Sequence, residues 1–237
     1  MLGSGGERMF FWDPTYIIVL PAIALALYAQ LRVRSTYGKY SQVPIANGLT
    51  GAAAAAEILR RHGLPGVQIE RIDGTLTDHY DPRTRVLRLS SDVYGGASVA
   101  SVGVAAHESG HALQHAENYG PLALRSAIVP VTQFGSWMAW PIFMIGFFFH
   151  SGTFMQLGIL IFSAFVAFTV ITLPVEFDAS RRALRVLGAE HLVTDAELRG
   201  VRAVLGAAAL TYVAAAATAI LELLRLLLLS NMSRREE

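Results

Sequence analysis

Apolar positions along this chain fall into long runs separated by shorter mixed stretches. Four runs approach the roughly 20 residues that a helix needs to cross a bilayer core: Phe10 to Leu31, Ala127 to Phe149, Phe154 to Pro174 and Ala203 to Leu229. In the first, Trp12 and Tyr16 suit a membrane interface and Pro21 is expected to bend the helix. A cleaved signal peptide is the competing reading, with Ala22, Ala24 and Ala26 imitating a cleavage site. The flank carries Glu7, Arg8 and Asp13 instead of a basic region, so a retained anchor at 10–31 is expected. The second and third runs are separated only by "HSGT", which predicts a tight hairpin over 127–174. The fourth, 203–229, carries Glu222 and Arg225 and follows Arg202, and its Ala-rich half also suits packing inside a bundle.

Between the first and second runs lies a mixed region, residues 32–125, long enough for a small domain. "NGLTGAAAAAEILRRHG" opens on turn residues, continues with strong helix formers and stops at Gly63 after basic residues that suit a helix C-terminus. Two β-branched runs, Val67 to Ile72 and Thr84 to Leu89, are divided by "DG" and "DP" turn signals and predict two short strands. From Ala97 to Asn118 the pattern is helical again, built on small residues that allow close helix packing. After the hairpin, 175–202 reads as further helix. The opening "MLGSGGER" has linker character, so residues 1–9 are set aside, as is the polar tail 230–237.

Composition agrees with a membrane protein. Of the 237 residues 53% are hydrophobic and 16% charged, and the mean hydropathy is +0.44, too apolar for an ordinary soluble domain. With 19 basic and 18 acidic residues there is no concentrated basic face, and a nucleic-acid partner is not expected. The absence of cysteine removes disulfides and thiolate metal sites. Any metal must be held by histidine and carboxylate.

Those residue types converge in "VAAHESGHALQH", residues 104–115, where His107, Glu108 and His111 have the spacing His-Glu-x-x-His. On a helix, residues i and i+4 differ by about 40° in direction and about 6 Å in height, so both imidazoles can aim at one point. Zinc accepts such nitrogens at about 2.0–2.1 Å. Glu108, one step round the helix, is then placed to take a proton from an attacking water and pass it to a leaving amine. The plainer reading is coincidence on a buried helix. Burying two histidines and a glutamate among small apolar residues would cost several kcal/mol (about that order) unless they were paired or metal-bound, which favours the metal.

A third ligand must come from elsewhere. His115 continues the same face but stands about 12 Å along the axis from His107, too far for one ion. The longer metzincin pattern would need Gly at 114 and His at 117, where this chain has Gln114 and Glu117. Glu117 itself would require an abrupt chain reversal. The hairpin instead returns "LPVEFDASRRAL" to the side of the motif helix, which brings Glu176 within reach of the metal. Asp178 differs from it by about 200° on a helix and suits a hydrogen bond to a ligand imidazole, or a cap for a helix starting after Pro174.

These segments together resemble the YugP-like zinc metallopeptidases of bacterial membranes, a branch of the neutral zinc peptidases. The resemblance rests on "FFWDPTY", "LYAQLRVRSTYGKYSQV", "NGLTG", "VAAHESGHALQH" and "LPVEFDASRRAL", in that order, between Met9 and about Leu187. It implies a mainly α membrane protein: about four transmembrane helices with a small α+β zincin-like metallopeptidase domain at the membrane interface. It also implies Zn2+ held by His107, His111 and Glu176. One departure matters. Many Glu-type zincins place an Asp four residues after the ligand Glu, and here that position is Ser180.

Candidates for steadying the transition state are Arg181, Arg182, Arg185, Tyr119, His115 and His79, with the arginines equally suited to lipid headgroups. The "TRVLRL" strand is a candidate edge for aligning an extended substrate. Protein or peptide substrates and the lipid bilayer are the expected partners. An enzyme of this kind competes with a catalytically quiet scaffold in which zinc clamps two helices, and the intact Glu108 favours the enzyme. Arg32, Arg34, Lys39, Arg125 and the arginines after Pro174 share one side in a four-span arrangement. The positive-inside tendency makes that side, with the active site, cytoplasmic in a bacterial inner membrane; Arg234 and Arg235 conflict with it.

Overall fold

The structure, a computed structural model, describes residues 14–233. The opening stretch, the start of the first expected span at 10–13, and Arg234 and Arg235 lie outside the described residues.

Among the described residues, a short 3-10 turn at Pro14–Ile18 is followed by seven α-helices and three strands. The helices are α1 (Leu20–Tyr40), α2 (Gly51–Arg61), α3 (Ser91–Tyr94), α4 (Val99–Ala116), α5 (Gly120–Phe148), α6 (Gly152–Ala189) and α7 (Asp195–Ser233). The strands are β1 (Gln68–Ile72), β2 (His79–Asp81) and β3 (Val86–Ser90). The chain divides into two compact units, one formed by 29–127 with 171–212, the other by the remaining segments.

In the first unit, α2 begins where Thr50 accepts a hydrogen bond from the Ala53 amide (3.2 Å), a side-chain cap in place of a missing turn partner. Ser98 caps α4 in the same way through the Ser101 amide (3.1 Å). The sheet order is β1-β3-β2, with β1 parallel and β2 antiparallel to β3. The expected edge strand "TRVLRL" therefore lies in the centre, paired on both sides, and the free edges belong to β1 and β2. Leu87 and Leu89 of β3 are wholly buried and pack with Ala55 and Leu59 of α2 and Ala105 and Ala112 of α4. On the polar face, Arg88 reaches Glu70 of β1 (3.0 Å) and Asp81 of β2 (3.5 Å). The strand "HYD" escaped the sequence reading because its polar residues sit in a turn-like context.

A second core joins Val99, Val102 and Ala106 of α4 to Ala183 and Leu187 of α6 and to Val201 and Leu205 of α7. Gly110 sets how closely α4 and α6 approach. A Cβ there would lie 2.6 Å from the Ala179 carbonyl oxygen, closer than side-chain atoms ever come.

In the other unit, α5 and α6 form the expected hairpin, closed at His150 (φ 49°) and by the Ser151 amide donating to the Gly146 carbonyl (2.7 Å). A Cβ on Gly146 or Gly158 would strike the opposite helix, so small residues let these backbones touch. Ala139, Phe143, Met155, Phe162 and Leu226 form the core. Arg225 of α7, only 4% exposed, stacks its guanidinium 3.6 Å from the centre of the Tyr16 ring and pairs with Glu222 (2.7 Å).

The expectation of four spans is corrected to two. Among the described residues, α6 and α7 are long and apolar enough to cross a membrane by length and composition. In α1, Gln30, Arg32 and Arg34 interrupt the apolar run, and Pro21 stands in the first helical turn, where its missing amide leaves no intrahelical bond unmade. In α5 the apolar stretch is Trp137–Phe148, too short by itself. Pro174 does not end the helix either. It lies inside α6, so Glu176 and Asp178 occupy the middle of a continuous helix, and Asp178 caps nothing.

Candidate metal centre

His107 and His111 project from α4 and Glu176 from α6, and one ligand atom from each lies within 4.8 Å of the others. The Glu176 Oε2 atom is 3.1 Å from His107 Nε2 and 3.6 Å from His111 Nε2. Two donors on one tetrahedral zinc, each about 2.0–2.1 Å from it, stand about 3.3 Å apart, so both separations suit a shared ion. Glu176 is 3% exposed. Burial by itself raises its pKa, but hydrogen bonds and charge from His107 and His111 outweigh burial and hold the carboxyl well below the usual range. For His111, burial lowers the pKa, yet the Glu176 hydrogen bond and the charges of Glu108 and Glu176 raise it overall. A buried pocket that draws positive charge onto imidazole in this way is one that a divalent cation fits.

Glu108 is buried on the same helix, and its charge acts on His111. Arg125 of α5 approaches the other carboxylate oxygen, with Nη1 3.2 Å from Glu176 Oε1, while its Nε is buried without a hydrogen-bond partner. The Tyr212 hydroxyl of α7 lies beside Glu176.

The outer contacts differ from the expected ones. Ser180, one helical turn beyond Glu176, hydrogen-bonds His107 Nδ1 (3.1 Å), occupying the place of the missing Asp. Asp178 touches neither ligand imidazole: it accepts from Gln114 Nε2 (2.9 Å) and from Arg182 Nε (2.6 Å). Arg182 also binds Glu117 (2.6 Å) and lies 5.8 Å from the Tyr119 ring centre, so it ties α4 to α6. Arg181 and Arg185 are exposed. His115 Nδ1 hydrogen-bonds the Tyr80 hydroxyl (2.9 Å), and exposed His79 bonds the Thr77 carbonyl (2.9 Å). The sequence reading missed Gln114, Arg125 and Tyr212. Arg125 was visible only as a topology charge, and Tyr212 sat inside an apolar run with nothing local to mark it.

With this geometry in place, comparison with known proteins identifies the class. Residues 15–231 match the family described as "Putative neutral zinc metallopeptidase", and the chain belongs to that family. It is 48% identical over 219 residues to the protein named "Putative membrane protease YugP" of Bacillus subtilis (strain 168), covering 92% of this chain and 97% of that one. No solved structure matches it.

Proposed function

We propose that this chain is a membrane-bound, zinc-dependent endopeptidase that hydrolyses peptide bonds of membrane or membrane-proximal proteins. The observation that carries the reading is the buried convergence of His107, His111 and Glu176 with Glu108 on the adjacent helical position. His107, His111 and Glu176 hold the metal, which when bound polarises a carbonyl and lowers the pKa of water towards about 7. Glu108 is the general base: it accepts the proton of the attacking water and delivers it to the departing amine nitrogen. Arg125 neutralises the second oxygen of Glu176, and Tyr212 offers a hydroxyl beside the same carboxylate.

The membrane part of the reading is supported by α6 and α7, by outward aromatic residues such as Trp137 and Phe149 (84% and 79% exposed), and by the relative's description as a membrane protease. The domain plan is a metallopeptidase unit around 32–125 completed by 175–202, with the 152–174 part of α6 and the 203–229 part of α7 in lipid. The placement is multi-pass in a bacterial inner membrane, with the site on the cytoplasmic side.

The test is cleavage of an unstructured protein such as casein by the purified chain, compared with Glu108→Gln. This substitution removes the base and leaves both imidazoles, so zinc content stays the same and cleavage is abolished. Equal cleavage by the variant refutes the mechanism. Zinc binding without cleavage by either protein favours the scaffold.

A further inference from the structure

The centre contains a glutamine whose hydrogen bonds leave it no freedom. Gln114, one turn beyond His111 on α4, is wholly buried. Its Nε2 amide donates to the Val175 carbonyl (2.8 Å) and to the Asp178 carboxylate (2.9 Å). A carbonyl and an ionised carboxylate only accept. The NH2 group must therefore face both of them, and the amide cannot flip without setting its oxygen against two other oxygens. That orientation directs Oε1 at His111 Nδ1, 2.9 Å away. An amide oxygen also only accepts, so Nδ1 carries a proton in this contact, and the ring can then ligate a metal only through Nε2. The Nε2 atom is the one that faces Glu176.

We infer that Gln114 is the positioning residue of this centre: it fixes the tautomer and ring plane of His111 so that Nε2 is presented as the ligand atom. Asp178 and Arg182 act one step further out, by holding Gln114. The charge-assisted contact of Arg182 with Asp178 (2.6 Å) keeps the carboxylate ionised and therefore an acceptor. The two histidines are held by different means. His107 rests on the hydroxyl of Ser180, which can donate or accept and so does not dictate a tautomer. The constraint falls on His111 alone. This inference rests on the proposed function, since Nε2 is a ligand atom only with a metal bound.

The experiment separates the two. Long-range 15N–1H spectra of the histidine-labelled, zinc-loaded protein are recorded in detergent, where the ring nitrogen that keeps its proton is the one that does not bind zinc. The His111 signals are identified by their loss in His111→Asn. The expected result is a single Nδ1–H form of His111 in the wild type and a mixture of both forms in Gln114→Leu. Zinc affinity, measured by competition with a chelator, falls roughly 10- to 100-fold in Gln114→Leu, the usual effect of losing an outer partner of a ligand. A wild-type His111 in the Nε2–H form overturns the inference without any variant having to fold. So does a folded Gln114→Leu that keeps the single Nδ1–H form. A wild-type chain that binds no zinc removes the proposed function. A mixed form in a chain that binds zinc and cleaves leaves the proposed function standing and overturns this inference.

Discussion

Gly110 lies inside the His-Glu-x-x-His segment without being one of its chemical residues, and substituting it tests whether the α4–α6 seam sets the metal geometry. In Gly110→Ala the new Cβ would stand 2.6 Å from the Ala179 carbonyl oxygen and 3.1 Å from the carbonyl carbon. Ordinary contact begins at 3.4 Å, so the two backbones must separate by about 0.8 Å, and neither is a flexible side-chain tip that can move aside. Overpacking of this kind costs about 1–3 kcal/mol. The same displacement would carry Glu176 away from His107 and His111, and metal–ligand distances tolerate only about 0.2 Å. The expected result is a lower unfolding midpoint in denaturant and zinc affinity reduced by roughly tenfold or more. Gly206→Ala is the control. It too is helical, and a Cβ there meets nothing within 4 Å, so it gains about 0.5–1 kcal/mol from reduced backbone freedom and leaves zinc affinity unchanged. Wild-type stability and zinc affinity in Gly110→Ala would refute the claim that this contact sets the site.

Three further outcomes follow from particular contacts. Asp178→Asn lowers zinc affinity less than Gln114→Leu does, because an asparagine oxygen can still accept from Gln114; the check is chelator competition on both variants, and the reverse order would mean that Asp178 acts on the metal by another route. Thr194→Ala costs about 1 kcal/mol of stability in denaturant unfolding, since the Thr194 hydroxyl and the Glu197 carboxylate cap the start of α7 together (2.9 Å). Burial raises the Glu197 pKa, but bonds from the Thr194 and Ala46 amides and the Thr194 hydroxyl lower it overall. The stabilisation from Glu197 is therefore complete above the unfolded glutamate value of about 4.3 and is lost as pH falls through the lower folded value. Glu197→Gln flattens that acid-side slope in melting curves, and an unchanged slope would contradict the assignment.

Local signals in the chain made much of this legible. Helix α2, the motif helix, β1, β3 and the hairpin turn all appear within two or three residues of their expected bounds, because period and turn residues are local properties. The union of Glu176 with the two histidines was legible too, since a four-residue turn leaves little choice of direction. Three things were not. Helix α6 continues through Pro174, because a lost backbone bond and a bent turn are tolerated where neighbouring helices hold the chain. Strand order depends on long-range pairing, so β3 could not be recognised as central. Outer contacts such as Ser180 to His107 and Gln114 to His111 depend on the distance between helices. Gln114 had entered the sequence reading only as a departure from another motif.

Metal content of the purified chain after zinc loading and dialysis tests the central claim most directly, with Glu176→Ala treated in parallel. The account predicts one zinc per wild-type chain and severe loss in Glu176→Ala, which removes one of three protein ligands. A wild-type chain without stoichiometric zinc, or a Glu176→Ala chain that retains it as firmly as the wild type, would contradict the assignment of His107, His111 and Glu176 as the metal site.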